Sequence, residues 1–288
     1  MTANTRDILA GYGLAPSKKR GQNFLKHRST AVRIVAKAEF TKEDHIMEVG
    51  VGLGALTLCL AEQVAQVTGI EIDRGIVAYL QQTDKLPDNV TLLHEDVLKS
   101  DFKSLHQKIG KPLKIISNLP YSISNPFIFK LIDNRTLIER VVILLQKEMA
   151  QRLTAAPNTK EYGIPSVLLQ SCAEVRQLME VEAAEFHPRP KVDSLLIEIR
   201  FDSGKISDDQ FKALRDTVRA AFSSRRKTLS NNLTASLPND LCGTTDKSRK
   251  REFVRASLEA AGLKPDIRAE NITVEQFRLL ARHLQDCS

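Results

Sequence analysis

The sequence predicts an α/β fold, an open Rossmann-like sheet flanked by helices, followed by a smaller domain built only of helices. Three observations carry that reading. Apolar runs of strand length alternate with segments of helical period through residues 28–201. One of those runs, residues 45–49, passes straight into Gly50-Val51-Gly52-Leu53-Gly54 and then into a helical stretch. The alternation stops around Asp202-Ser203-Gly204, and from Asp208 onward every periodic segment is helical. The expected division is a basic arm over residues 1–27, an α/β domain over 28–203 and a helical domain over 204–288.

The totals bound the function. With 288 residues, 42% of them hydrophobic and 27% charged, the chain can bury a core and is not a disordered polymer. Its formal net charge of +7 points to an anionic partner. Cys59, Cys172, Cys242 and Cys287 lie far apart without paired metal-ligand spacing, so no metal site is expected. The start, Met1-Thr2-Ala3-Asn4-Thr5-Arg6-Asp7, has no apolar segment of the signal-peptide kind. No apolar run approaches the ~20 residues that span a bilayer. A reducing, cytoplasmic setting, a monomer and no membrane role are the expectations.

The arm carries Arg6, Lys18, Lys19, Arg20 and Lys26 against Asp7, a net +4. It ends in Gln22-Asn23-Phe24-Leu25. Phe24 and Leu25 should seek an apolar seat and pin the arm to the domain, which leaves Gln22 and Asn23 available to a ligand. Residues 28–38 place Ala31, Ile34, Val35 and Ala38 on one helical face. The strand at 45–49 follows, and beyond the glycines Leu56, Leu60 and Val64 share a face of the next helix.

Glycine spacing separates two classes of cofactor. A dinucleotide turn reads G-x-G-x-x-G. Here the glycines stand at 50, 52 and 54, the third dinucleotide place is Ala55, and Glu48 precedes the first glycine by two. E-x-G-x-G-x-G is the pattern of S-adenosylmethionine sites, and the missing side chains at Gly50 and Gly52 let a cofactor approach the backbone. The strand at 67–72 ends in Glu71-Ile72-Asp73. Glu71 is suited to take both hydroxyls of a ribose, and Asp73 to cap the next helix. A third strand, 90–93, ends in His94-Glu95-Asp96, where Asp96 is placed to accept from an adenine amino group.

The strand at 113–116 leads to Asn118-Leu119-Pro120-Tyr121. Ligands of open α/β sheets bind beyond the carboxyl ends of the strands, so Glu71, Asp96 and Asn118 form one constellation. Pro120 lacks an N–H and fixes its φ, so the carbonyls around it stay aimed. The Asn118 side-chain oxygen and a carbonyl of Leu119-Pro120 suit the exocyclic amino group of a base, with Tyr121 as a flat face against that base. A helix at 123–132, an apolar central strand at 141–145 and a helix at 147–155 follow. Residues 157–163 form a polar loop, expected to be mobile and near the rim of the site. A helix at 164–172 and strands at 174–181 and 194–201 close the domain.

Between those strands, Phe186-His187-Pro188-Arg189-Pro190-Lys191-Val192 reads as a stiff loop. It displays Phe186 for stacking opposite Tyr121; a core plug is the alternative for Phe186, and His187 reads as structural or solvated. The helical domain spans segments at 210–222, 225–237, 247–261 and 274–284, with Thr273 and Gln276 as a capping box. From residue 203 on there are sixteen Lys and Arg against eleven Asp and Glu. They cluster at Arg225-Arg226-Lys227 and Arg249-Lys250-Arg251. The first cluster abuts Thr228-Leu229-Ser230-Asn231-Asn232-Leu233, rich in groups that bond phosphate and ribose.

Gln22-Asn23-Phe24-Leu25, the turn from Glu48 to Gly54 with Ala55-Leu56-Thr57, Asn118-Leu119-Pro120-Tyr121, Pro188-Arg189-Pro190-Lys191-Val192 and Arg225-Arg226-Lys227-Thr228-Leu229 occur in one order. In this the chain resembles, over nearly its whole length, the KsgA (RsmA) family of ribosomal small-subunit RNA adenine dimethyltransferases. The resemblance implies a class I methyltransferase sheet with a C-terminal helical domain and S-adenosylmethionine as cofactor. It implies dimethylation at N6 of two adjacent adenosines in the 3′-terminal hairpin loop of small-subunit (16S) rRNA, on an assembly intermediate. Cofactor contacts are implied at Gln22, Asn23, Leu25, Gly50, Glu71, Asp96 and Asn118. Val51 stands where the family more often has proline or alanine, which should only adjust the turn. One rival is a large-subunit rRNA methyltransferase conferring antibiotic resistance; residues 225–233 and Leu119 favour the small-subunit enzyme. Another is an assembly or transcription factor that kept the fold without catalysis, against which the complete tetrad and the cofactor acids count. The glycine spacing argues against a dinucleotide oxidoreductase.

Overall fold

A computed structural model describes residues 5–14, 16, 21–83, 86–202, 204–239, 243 and 245–286. Lys18-Lys19-Arg20, Cys242 and Cys287 lie outside the described residues. In chain order the elements begin α1 (Thr5–Gly11), β1 (Phe24–Leu25), α2 (Arg28–Ala38), β2 (His45–Val49), α3 (Ala55–Ala61), β3 (Gln66–Glu71) and α4 (Arg74–Gln82). They continue β4 (Val90–His94), α5 (Phe102–Ile109), β5 (Leu113–Asn118), α6 (Ser124–Asp133), β6 (Ile138–Gln146), α7 (Lys147–Leu153) and α8 (Ile164–Cys172). The last are β7 (Ala173–Val181), β8 (Phe186–His187), β9 (Ser194–Phe201), α9 (Asp208–Ala221), α10 (Leu229–Ser236), α11 (Lys247–Ala260) and α12 (Val274–Asp286).

Seven strands form a sheet in the order β4-β3-β2-β5-β6-β9-β7. β2 pairs in parallel with both β3 and β5, β3 with β4, and β5 with β6. β9 is antiparallel to β6. The chain moves outward from β2 through β3 to β4, then returns to the other side of β2 at β5. That reversal opens a crevice beyond the ends of β2 and β5, where open sheets bind ligands. The register sets what lines it. Val49 sits level with Ile70 and with Ser117. One step further along, Gly50, Glu71 and Asn118 leave the sheet in the same row. α2 and α3 cover one face, where Ile34, Val35, Leu56 and Leu60 pack on Ile46, Ile116 and Leu144 in one apolar cluster.

The chain divides into two compact units, Met1–Ala150 with Val175–Phe201, and Gln151–Glu174 with Asp202–Ser288. Residues 151–174, read from sequence as part of the α/β domain, thus side with the helical unit. The cause is packing: Val167, Leu168 and Leu169 of α8 are buried, and α8 packs on α9 and α12. Tyr162 is buried too, and its hydroxyl donates to the Ile272 carbonyl at 2.9 Å. The loop at 157–163 is therefore tied down rather than free; the Asn158 N–H also donates to the Glu270 carbonyl at 2.8 Å.

Two further differences concern helices. The arm contains α1, whose Leu9 joins Phe24, Val51, Ile76, Tyr79 and Leu80 in a second apolar cluster. α10 begins at Leu229 and not at 225, because the Thr228 hydroxyl caps it by accepting from the Asn231 N–H at 3.4 Å. Arg225, Arg226 and Lys227 are left exposed in the turn before it. The capping box before α12 forms as the sequence predicts, Thr273 and Gln276 exchanging backbone and side-chain bonds at 2.9 and 3.2 Å.

Candidate active site

The crevice is a cavity of about 630 Å³, in the ordinary range for small-molecule sites of roughly 300–1,000 Å³. Gln22, Asn23, Leu25, Gly50, Gly52, Glu71, Asp96, Asn118 and Pro120 all line it. Residues as distant in sequence as Gly50 and Asn118 are brought together by the shared register of the strand ends.

The glycine turn and Glu71 form one unit. Gly50, Gly52 and Gly54 have φ of 78°, 56° and 84°, a region unfavourable to residues with a Cβ. The turn closes through the Gly50 N–H, which donates to the Ile70 carbonyl at 2.9 Å. The Glu71 carboxylate accepts from the Gly52 N–H at 3.0 Å and from the Asp73 N–H at 2.9 Å. Burial raises the Glu71 pKa, and those two N–H bonds pull against the rise. Asp73 caps α4 by accepting from the Gly75 and Ile76 N–H groups, a bond type worth about 1 kcal/mol to the helix. It also accepts from the Gln22 amide at 3.2 Å, which ties the arm to this edge. Asp96 holds its own turn through the Leu98 N–H at 2.9 Å.

At the end of β5, Ser117 donates to the Val49 carbonyl at 2.6 Å and fixes the two strand ends together. The Asn118 amide nitrogen donates to the Asn23 carbonyl at 3.2 Å. The donor end of the amide is thereby engaged by the arm, and the oxygen is left as acceptor. Pro120 has φ −56°, and its carbonyl accepts from the Ile123 N–H at 3.1 Å. Of the two backbone carbonyls in Leu119-Pro120, that of Leu119 is the better one for a ligand. The Leu119 side chain itself is buried and serves packing. Tyr121 is half-buried, and its hydroxyl pairs with Ser194 on β9 at 2.7 Å. Burial raises the Tyr121 pKa, with the Ser194 bond opposing.

Phe186 departs from the expectation of a displayed ring. It is 1% exposed and belongs to the main apolar cluster. The reason is a pairing over a long sequence separation: β8 runs antiparallel to β1, with Phe186 opposite Leu25 and His187 opposite Phe24. Burying such a ring stabilises by about 1.5–3 kcal/mol, so its place is to seat the arm strand that follows Gln22 and Asn23.

Several lining residues were not singled out as site residues from sequence. Ile72 and Val97, in the loops that follow β3 and β4, offer apolar walls, and Ile72 is 47% exposed. Phe24 and Glu95 line the cavity as well. So does Glu48, which is 1% exposed with neither carboxylate oxygen in a hydrogen bond. Burial pushes its carboxyl up to about 8, the Thr57 hydroxyl pulls it down and the nearby Glu71 adds to the rise. The signal available in sequence was the E-x-G spacing, which marks the turn without giving the carboxyl a separate part.

Known proteins resemble this chain over most of its length. The description of one family, ribosomal RNA adenine dimethylase, matches residues 15–280. Ribosomal RNA small subunit methyltransferase A of Desulfotalea psychrophila is 46% identical over 274 residues, spanning 95% of this chain and 92% of that protein. The protein of the same name from Bacillus pumilus is 36% identical over 285 residues, spanning 98% and 95%. Among solved structures, a dimethyladenosine transferase from Plasmodium falciparum superposes with a TM-score of 0.75 at 25% identity, covering 89% of this chain and 95% of that one. The 23S rRNA methyltransferase ErmE superposes at 0.65 and 24% identity, covering 91% and 99%, a likeness of fold alone.

Proposed function

The chain belongs to the ribosomal RNA adenine dimethylase family, and from that premise we propose that its cavity binds S-adenosylmethionine and presents a methyl group to N6 of two adjacent adenosines in the 3′-terminal hairpin loop of small-subunit rRNA. The observation that supports this best is the charge of the lining. Glu71, Glu95 and Asp96 face the cavity, and among the described residues that line it there is no Lys, Arg or His. Such a wall suits a cationic cofactor and repels a pyrophosphate, in a chain whose net charge is +7.

Glu71 holds the ribose hydroxyls, Asp96 accepts from the cofactor's adenine amino group, and Ile72 and Val97 close on the flat ring. Gly50 and Gly52 let the backbone approach, and Gln22, Asn23 and Leu25 complete the wall from the arm. The cofactor, when bound, supplies an already activated sulfonium methyl. The target adenine's amino group is a poor nucleophile because its lone pair is delocalised into the ring. The Asn118 side-chain oxygen and the Leu119 carbonyl accept its two hydrogens and favour a pyramidal nitrogen whose lone pair faces the methyl. Positioning of this kind contributes up to ~7–11 kcal/mol in favourable cases. The proton leaves after transfer, and no strong base is required. The target base is unstacked from the hairpin loop and lies against the Tyr121 ring, a contact typically worth ~1–3 kcal/mol. The substrate is an assembly intermediate of the small subunit, and the enzyme acts as a monomer in the cytoplasm.

Equilibrium binding beside turnover tests the assignment. Asn118→Ala should bind S-adenosylmethionine within about threefold of the parent and lose on the order of 10²-fold or more in methyl transfer. Retained turnover in that variant removes Asn118 from the mechanism.

A further inference from the structure

We propose that Glu48 reads the charge on the cofactor's sulfur: it holds a proton in the free enzyme and in the product complex, and releases that proton when the sulfonium form binds. The inference rests on the reading of the cavity as an S-adenosylmethionine site. Glu48 lies on the central strand β2, two residues before Gly50, and is 1% exposed at the cavity wall. Its two oxygens make no hydrogen bond of ordinary geometry, the neutral Thr57 hydroxyl alone lies close enough to favour the charged form, and among the described residues no Lys, Arg or His forms an ion pair with it. The groups that face it are the Glu71 carboxyl on β3 and, on α3, the Thr57 hydroxyl and the Cys59 thiol. None of these is a cation. No cation among the described residues compensates a negative charge there, so the carboxyl stays neutral.

A carboxyl in that position is stable without a charge and becomes stable with one only if a cation joins the cavity. The cofactor and its demethylated product differ at the sulfur in this one respect: the sulfonium is positive and the thioether is neutral. With the sulfonium bound, the Glu48 O–H releases its proton to solvent and the carboxylate faces a counter-charge. Once the methyl has gone to the base nitrogen, the sulfur is neutral and the carboxylate takes a proton back from solvent. The pair of states makes the site tight for cofactor and weaker for product, through a residue that need not touch either one.

Titration calorimetry on the full chain at pH 7, in two buffers of different ionisation enthalpy, counts the protons. S-adenosylmethionine should release close to one proton per site and S-adenosylhomocysteine close to none. Each ligand also carries an amine that titrates, and comparing the parent with Glu48→Gln on the same ligand separates that amine's protons from those of Glu48. Glu48→Gln keeps the shape without the charge; it should abolish the proton release and narrow the preference for cofactor over product by about tenfold. Equal proton counts for the two ligands, or an unchanged count in Glu48→Gln, overturn the inference. If Glu48→Gln does not fold, the parent decides alone: its affinity for the cofactor should tighten towards pH 8 while that for the product stays flat, and parallel profiles overturn the proposal. Failure of both ligands to bind the parent overturns the cofactor reading itself, a different result from binding without proton release.

Discussion

On the proposed mechanism the two ends of the Asn118 amide have separate tasks, which accounts for an amide at this position. The nitrogen donates to the Asn23 carbonyl at 3.2 Å, so the oxygen is presented as acceptor. Asn118→Asp keeps an acceptor and loses the donor, and its carboxylate would face the Asn23 carbonyl. We expect methyl transfer to fall on the order of 10²-fold in Asn118→Asp, despite the near-identical shape, in a steady-state assay with the RNA saturating. Wild-type turnover there would mean that the bond to the arm does not orient the amide. Glu48 gives a second residue-scale prediction, for the protein without cofactor. Its carboxyl has an ordinary value of 4.5 and a folded value near 8, so between these the folded state holds a proton that the unfolded chain has lost. Its favourable share of stability is complete below the lower value and is lost as pH rises through the upper one. Thermal melts across that range should fall less steeply with pH in Glu48→Gln than in the parent.

At the scale of elements, the glycine turn and the arm strand depend on each other. A Cβ at Gly52 would sit 3.2 Å from the Phe24 ring, at a φ of +56°. Gly110, the C-cap of α5, has φ +71° with open space around it. Alanine at either place should cost about 1–2 kcal/mol in stability through the left-handed backbone. Only Gly52→Ala should also weaken cofactor binding, by about tenfold or ~1.4 kcal/mol, because Phe24 must move. Equal cofactor affinities in the two variants would show that Phe24 does not transmit the strain. The strand ends were legible in the sequence because a parallel sheet writes itself locally: an apolar run, then the polar residue it delivers. That is how Glu71, Asp96 and Asn118 were readable before any geometry. Phe186 was not, since a proline-rich loop that displays a ring and one that buries it have the same composition. What decides is the pairing of Phe186 with Leu25, more than 150 positions away. The membership of residues 151–174 was hidden for the same reason: helical period shows that α8 has an apolar face, and only the fold shows that α9 and α12 cover it.

At the scale of the whole molecule, charge is divided by place. The cavity wall is acidic, while Arg225, Arg226 and Lys227 stand exposed ahead of α10 in a chain of net charge +7. The first suits a small cation and the second a phosphate backbone. Arg225→Ala with Arg226→Ala should weaken RNA binding and flatten its dependence on salt, by roughly 0.7–0.9 in the log–log slope for each phosphate that is no longer neutralised. Identical slopes would make the cluster an ordinary solvated face. The central claim, that this cavity and this basic surface serve one reaction on small-subunit rRNA, is tested most directly by methyl transfer from labelled S-adenosylmethionine. The substrates are small ribosomal subunits lacking the modification, with large subunits and protein-free RNA beside them. We predict label in small subunits alone, recovered as dimethyladenosine at two adjacent positions of the 3′-terminal hairpin loop. Label in large-subunit RNA, or cofactor bound with no label transferred to any RNA, would contradict it.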